Sequence, residues 1–395
     1  MNLDAIQTAL RESALDGWLF YDHHHRDPIA AGVLGLDPKA HVTRRWYYFI
    51  PATGEPSKLV HRIEQGRLDC LPGAKTQYSS WQELRAGIEN LLQNQKKIAM
   101  QYSPDNDIMY VSMVDAGTIE FLRGIGKEIV SSADLVSQFE AVLTAEQIAS
   151  HSAAQREIDV ILITAWAEIA RHLRPPSGID RVESLTEYNM VVWLREALRR
   201  EGLVWENGPD VSVNSNTSDQ HYEPSAEHAA PIREGDFLLI DLWGRLDTPS
   251  AIFYDITWTG VIGRDPSKKE QLIFDTVRRA RDSAISAVQQ AFAANRPIHG
   301  FEADDAARSV IRDAGFAENF VHRTGHNIAH EIHGPGAHLD NLETHDERRI
   351  LPNTCFSVEP GIYLPEFGVR SEINMLTVPG KAWVTGRIQQ ELVRI

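Results

Sequence analysis

The sequence has little cysteine, no excess of positive charge and no long apolar run. Its two cysteines, Cys70 and Cys355, are far apart and match no zinc-ligand or redox spacing. They cannot staple a framework, so no oxidising compartment is needed, and both are expected as ordinary, partly buried thiols. Lys and Arg number 39 against 55 Asp and Glu, a formal net charge of −16. That field repels phosphate backbones and anionic headgroups, which argues against nucleic acid or a membrane surface as partner. The apolar run Val160 to Ala167, bounded by Asp159 and Glu168, is well short of a membrane span. Met1 to Asp4 lack the basic and apolar regions of a secretion signal, so a soluble cytoplasmic protein is the expectation.

What is present is a globular composition, 43% hydrophobic and 24% charged, over 395 residues, a length that predicts two domains. The first 140 or so residues alternate helical and strand patterns. Leu3, Ile6 and Leu10 recur at helical spacing before the strand Trp18 to Tyr21. Trp46 to Ile50 and Lys58 to His61 read as a hairpin across Pro51-Ala52-Thr53-Gly54. Ser80 and Glu83 form a capping box ahead of a helix, and Lys97 to Met100 is the next strand. Thr144 and Gln147 make a second capping box, opening a long helix that Pro175-Pro176 should end. Helices then read at Ser184 to Arg200, Pro266 to about Ala294 and Ala303 to Asp313, with strands between and after them. The predicted class is α/β (α+β), with a boundary between 143 and 144.

Four acids sit in segments that otherwise read as apolar strands. Asp241 lies in Phe237 to Trp243, Asp255 in Ile252 to Trp258, Glu359 in Cys355 to Gly361 and Glu372 in Gly368 to Ile373. An ionised carboxylate in such a run is costly unless paired, and four gathered in one core repel without a cation. Between the second and third lies the histidine-rich stretch His322 to His333. It contains His330-Glu331-Ile332-His333, one residue short of the His-Glu-x-x-His of thermolysin-type zinc sites. Two Asp, one His and two Glu make an oxygen-dominated donor set able to hold two divalent metals roughly 3.5 Å apart. Hard oxygen ligands favour manganese, with cobalt and zinc also compatible, and hydrolysis is the natural chemistry of such a centre.

These residues resemble the pita-bread metallopeptidases: methionine aminopeptidase, aminopeptidase P and prolidase. Asp241, Asp255, His326, Glu359 and Glu372 stand in the family's ligand order. The words around them agree: Glu234-Gly235-Asp236, His322-x-x-Gly-His326, Val358-Glu359-Pro360-Gly361 and Gly368-Val369-Arg370-x-Glu372. The resemblance covers about Thr144 to the C-terminus. Residues 1–143 resemble, more weakly, a creatinase-like N-terminal α/β domain ahead of a pita-bread catalytic domain at 144–395, and that two-domain form points to the Xaa-Pro branch. There are departures. The first two ligands are 14 apart (255 − 241) where 11 is usual, implying an enlarged loop at Gly244 to Ser250; Trp258 stands where Arg is usual, and Ala329 where Gly is usual.

The resemblance implies an Xaa-Pro dipeptidase using a hydroxide between two divalent metals, Mn²⁺ first and Co²⁺ or Zn²⁺ as alternatives, in a homodimer. Aminopeptidase P, acting on longer peptides, and a non-catalytic binding module are the other readings; creatinase shares the fold but lacks the ligands. His326 and Glu359 would share one metal, with Glu359 as base; Asp241 would chelate the other, and Asp255 and Glu372 would bridge. His333 would contact substrate and steady the tetrahedral intermediate, and His322 would line the proline side. His221, or else His228, is a further catalytic histidine. Arg370 would meet the substrate carboxylate or steady Glu372, or else make a plain structural ion pair. The loop Tyr21 to Pro28, with His24 and Arg26, resembles one that bacterial prolidases send into a partner's site to limit substrates to dipeptides.

Overall fold

The computed structural model describes residues 1–174 and 184–395. The expected helix stop at Pro175-Pro176 lies outside the described residues. The chain divides into two compact units, Met1–Glu140 and Ala141–Ile395.

The first unit is built on a six-stranded mixed sheet: β1 (Gly17–Asp22), β2 (Trp46–Pro51), β3 (Ser57–His61), β4 (Ala74–Tyr78), β5 (Lys97–Met100) and β6 (Glu128–Ser131), in the order β4-β3-β2-β1-β5-β6. The β2–β3 hairpin is antiparallel, and β1 pairs antiparallel with β2 and parallel with β5. Every residue of β1 is buried, because helices cover both faces of the sheet. The two-residue period of a strand then deals its side chains into two cores. Trp18 and Phe20 join Trp46, Tyr48 and Ile50 on one face; Leu19 and Tyr21 join Tyr47 and Phe49 on the other. The Ser80–Glu83 capping box opens the helix Trp81–Leu91. Residues 23–27 form a short loop between β1 and the helix Pro28–Leu34, whose N-cap is Asp27.

The second unit opens with the helix Ala145–Leu173, closed at its start by the Thr144–Gln147 capping box, followed by the helix Glu187–Arg200. Among the described residues its strands are β7 (Leu203–Val204), β8 (Asp210–Val213), β9 (Phe237–Leu246), β10 (Tyr254–Val261), β11 (Asn327–Ile328), β12 (Cys355–Val358), β13 (Gly361–Tyr363), β14 (Gly368–Arg370), β15 (Ile373–Val378), β16 (Lys381–Thr385) and β17 (Val393–Arg394). One sheet runs β17-β10-β9-β7 with β8 also on β9, a second runs β11-β12-β15-β16, and β13 pairs with β14. The helices Lys268–Ala293 and Gly300–Asp313 share one apolar core with Phe356, Val369 and Ile373. The helices Ala145–Leu173 and Glu187–Arg200 share another with Leu238, Ile240 and Ile256.

Three expectations are corrected. Cys70 is exposed and Cys355 fully buried, so neither is the partly buried thiol expected; only Cys355 falls in an apolar strand. The residues Gly244–Leu246 are not loop but the end of β9, held as strand because β7 pairs with Arg245 and Leu246; the turn starts at Asp247. Glu359 and Glu372 are not inside strands. Each stands at a strand end, Glu359 just past β12 and Glu372 between β14 and β15, where a backbone leaving the ladder can aim a carboxylate sideways.

The core of this unit contains a buried imidazole that titrates with folding. His151 is fully buried; its Nδ1–H donates to the Phe253 carbonyl at 2.7 Å, and Nε2 lies 2.9 Å from the Thr385 hydroxyl. Burial pushes its pKa down to about 4. The unfolded chain therefore binds a proton that the folded chain refuses, between about pH 6.5 and pH 4. The contribution is fully present above pH 6.5 and is lost as pH falls through that window, a change on the order of 3 kcal/mol. Denaturant unfolding at pH 7 and pH 4 should show wild type losing more stability than His151→Gln; equal losses would mean another group carries the acid sensitivity.

Candidate metal centre

The central pair of strands sets the site. In the antiparallel register of β9 and β10, Asp241 faces Thr257 and Asp255 faces Trp243. Asp255 and Thr257 are two apart on β10, so both project from the same face of the sheet. Asn374 on β15 clamps the backbone of Asp255 from the neighbouring sheet: its Oδ1 accepts from the Asp255 N–H at 2.9 Å, and its Nδ2 donates to the Asp255 carbonyl at 2.8 Å. Glu372 enters beside them, its N–H donating to the Thr257 carbonyl.

His326 approaches from β12's side. Its carbonyl accepts from the Ser357 N–H, and its own N–H donates to the Ser357 hydroxyl. That close run depends on Gly325, where a Cβ would fall 2.0 Å from the Ser357 carbonyl oxygen. The Ser357 hydroxyl in turn donates to Glu359 Oε1 at 3.0 Å, so one serine orients two of the expected ligands. His326 Nδ1 lies 3.3 Å from the Asn327 carbonyl, which leaves Nε2 for the cleft. That atom is 3.6 Å from Asp255 Oδ2 and 3.4 Å from Glu359 Oε1.

The five residues singled out from the sequence thus converge. One ligand atom from each of Asp255, His326 and Glu372 lies within 4.8 Å of the other two. Asp241 joins them through Thr257, whose Oγ1 is 2.7 Å from both Asp241 Oδ1 and Glu372 Oε2. Asp255 Oδ1 and Glu372 Oε1 are buried with no hydrogen-bond partner among the described residues. Burial, then the charge of Asp241, drives the Asp255 pKa far above the carboxylate range; burial, then Asp255 and Glu359, does the same to Glu372, and Glu359 is raised chiefly by burial. Orphaned oxygens and mutually repelling buried acids are the conditions a divalent cation relieves, and the donors are the hard oxygens and single imidazole that such a cation takes. The residues fit the group.

Arg370 lies beside the acids. Its guanidinium, 6% exposed, ion-pairs through Nη2 with Asp241 Oδ2, with Nε 3.2 Å from Thr257 Oγ1 and 4.0 Å from Glu359 Oε2. It thus makes the structural ion pair that is one of the readings of this residue, with Asp241, and its charge also favours the ionised form of Glu372. His322 Nδ1–H donates to the Arg323 carbonyl at 2.7 Å, and its Nε2 accepts from the Tyr363 hydroxyl, also at 2.7 Å; burial first and Arg370 next hold its pKa near 3. The His333 ring stands edge-on to His326, centroids 4.4 Å apart, with one side open to solvent. The surrounding protein and then His326 hold its pKa below the ordinary value, and His221 contributes to that shift. His228 is exposed, its carbonyl 3.2 Å from the Tyr222 hydroxyl. His24 and Arg26 are exposed in the loop of the first unit, His24 with a positive φ of 62°. Trp258 packs beside the Ile240 and Ile256 core, and Ala329 is buried.

Sequence reasoning missed Thr257, Ser357, Asn374, Tyr363 and Asp210. Thr257 carried a signal, since it is two residues from Asp255 on β10 and so on the same strand face. Asp210 carried none: only the β8–β9 register puts it opposite Asp241, where burial first and the Asp241 charge next raise its pKa to about 7.

The chain matches metallopeptidase family M24 over residues 153–379. It is 31% identical over 191 residues to an Xaa-Pro dipeptidase of Lactobacillus delbrueckii subsp. lactis, covering 48% of this chain and 47% of that protein. It is 25% identical over 268 residues to one from Pyrococcus furiosus, covering 68% and 69%. The chain spans 62% and 61% of the length of two further relatives from Mycoplasma species. In three dimensions it resembles the dipeptidase PepE from Mycobacterium ulcerans, with a TM-score of 0.66 and 22% identity over 99% of this chain and 96% of the other. The fold is the expected α/β one, an N-terminal domain ahead of a pita-bread domain. With the matched segment spanning the whole cluster from Asp241 to Glu372, the chain belongs to metallopeptidase family M24.

Proposed function

We propose that this chain hydrolyses Xaa-Pro dipeptides with a pair of divalent cations held by Asp241, Asp255, His326, Glu359 and Glu372. The observation that carries the reading is the meeting of Asp255, His326 and Glu372 donor atoms within 4.8 Å, two of them carboxylates with an unpartnered buried oxygen. Its second support is the relatives' description as Xaa-Pro dipeptidases. When bound, the metals supply a nucleophilic water at neutral pH and polarise the scissile carbonyl; manganese is the first choice for oxygen donors, with cobalt and zinc as alternatives.

The chain's own residues do the rest. Glu359, oriented by the Ser357 hydroxyl, takes the proton of the attacking water. His333 and His221 hydrogen-bond the developing oxyanion or return a proton to the proline nitrogen, which has no N–H of its own. His322, fixed between the Arg323 carbonyl and Tyr363, presents a ring to the proline side. Arg370 holds Asp241 in place. The reading includes a homodimer in the cytoplasm, residues 1–143 as a creatinase-like domain and 144–395 as the catalytic one. It also takes His24 and Arg26 as groups for a substrate carboxylate; neither makes an ion pair among the described residues, and Arg26 donates only its backbone N–H, to Asp22. No helix among the described residues is long and apolar enough to cross a membrane.

Hydrolysis of Ala-Pro, Ala-Pro-Ala and Ala-Ala by protein loaded with Mn²⁺ tests the proposal. Ala-Pro should be cleaved fastest. Faster cleavage of Ala-Pro-Ala would make the chain an aminopeptidase P, and equal rates on Ala-Ala would remove proline from the specificity.

A further inference from the structure

The helix Glu187–Arg200 begins with a carboxylate that no metal, substrate or lysine accounts for. Glu187 is fully buried, and an isolated charge there would be strongly disfavoured. It is compensated by four donors, all from one stretch of chain. Oε1 accepts from the Val213 N–H at 2.8 Å and from Asn216 Nδ2 at 3.0 Å; Oε2 accepts from the Tyr222 hydroxyl at 2.6 Å and the Ala230 N–H at 2.7 Å. Charge-assisted bonds of this kind are the stronger sort, and the first turn of a helix favours an anion. The backbone adds to the clamp. The Glu187 N–H donates to the Ala230 carbonyl, and the Ile232 N–H to the Leu185 carbonyl.

Between these anchors runs the segment that carries His221. Its near end is tied to the rim of the metal centre, where the Thr217 hydroxyl accepts from the Gly368 N–H at 2.7 Å and the Ser218 hydroxyl donates to the Leu364 carbonyl. Within the segment the His221 ring has no hydrogen-bond partner among the described residues; the His221 backbone N–H donates to Asp219 Oδ1. Nothing on the imidazole itself fixes where it points. The neighbouring Tyr222, bound to Glu187, fixes the backbone that carries it.

We propose that Glu187 is the positioning residue for His221: its buried carboxylate gathers Val213, Asn216, Tyr222 and Ala230 so that the backbone carrying the exposed imidazole is held in place. The inference rests on the reading of His221 as a catalytic group. Tyr222 is the link between the two, its hydroxyl on Glu187 and its backbone next to His221.

Glu187→Gln tests it sharply. All four partners are donors toward Glu187, whereas an amide offers one accepting oxygen and an NH₂ that must face donors. Ala-Pro hydrolysis by Glu187→Gln should lose kcat on the order of 10²-fold, with KM and bound metal per chain unchanged, as expected for a misplaced catalytic group. The decisive measurement is the double variant. If Glu187 acts through His221, Glu187→Gln in a His221→Ala background costs nothing further, whereas a purely structural role costs the same factor in both backgrounds. Tyr222→Phe, singly and with His221→Ala, gives the same cycle while keeping the carboxylate and its three other donors, and it decides the matter where Glu187→Gln fails to fold. Multiplying losses, loss of metal, or a wild-type kcat in Glu187→Gln would overturn the proposal. A wild-type rate in His221→Ala would instead remove His221 from the mechanism, and the positioning role with it.

Discussion

Replacing Asp255 with Asn is expected to abolish peptide hydrolysis while making the metal-free protein more stable. The two effects have one origin. Asp255 is 5% exposed, one of its oxygens has no partner, and Asp241, Glu359 and Glu372 crowd it. Its pKa is raised by burial and then by Asp241, so without a cation the ionised form is a liability. An amide of the same shape removes one like charge and keeps the Asn374 clamp, which holds only the backbone. With metal present the balance reverses, because the ligand that would bridge two dications is no longer an anion. The loss of transition-state stabilisation should be on the order of several kcal/mol. Thermal unfolding of both proteins in chelator, with metal content by mass spectrometry and Ala-Pro turnover, measures each half. A variant that keeps two metals and full turnover would sink the assignment.

His333→Ala should cost about 10²- to 10³-fold in kcat and leave metal binding intact. The imidazole stands edge-on to His326 at 4.4 Å between centroids, close enough to face a group bound at the centre, yet it belongs to none of the donor contacts around Asp255 and Glu372. It is held neutral by the surrounding protein and by His326, so near neutral pH it can donate one hydrogen bond without carrying charge into a site proposed to hold two dications. Metal analysis alongside kcat separates the roles. If His333→Ala arrives without its metals, the residue is a ligand or a support for one, and the catalytic assignment is wrong.

The sequence by itself determined which side chains would meet. Four acids set in apolar segments, Asp241 and Asp255 among them, read together as a cation site, since like charges gathered in one core repel without a cation. The capping boxes at Ser80 and Thr144 likewise marked helix starts that the fold keeps, because a cap is settled within four residues. Such signals are local and survive in the order of residues. What only the tertiary structure decided is how the acids are partnered. Thr257 stands between Asp241 and Glu372 because β9 and β10 pair in one register, Arg370 reaches Asp241 because β14 ends beside that pair, and Asn374 grips Asp255 from another sheet. Glu187 is the extreme case: in sequence an unremarkable acid in the first turn of a helix, in the fold the common acceptor for a loop up to 43 residues away. Cross-strand register and shared acceptors depend on contacts between distant segments, and no local period records them.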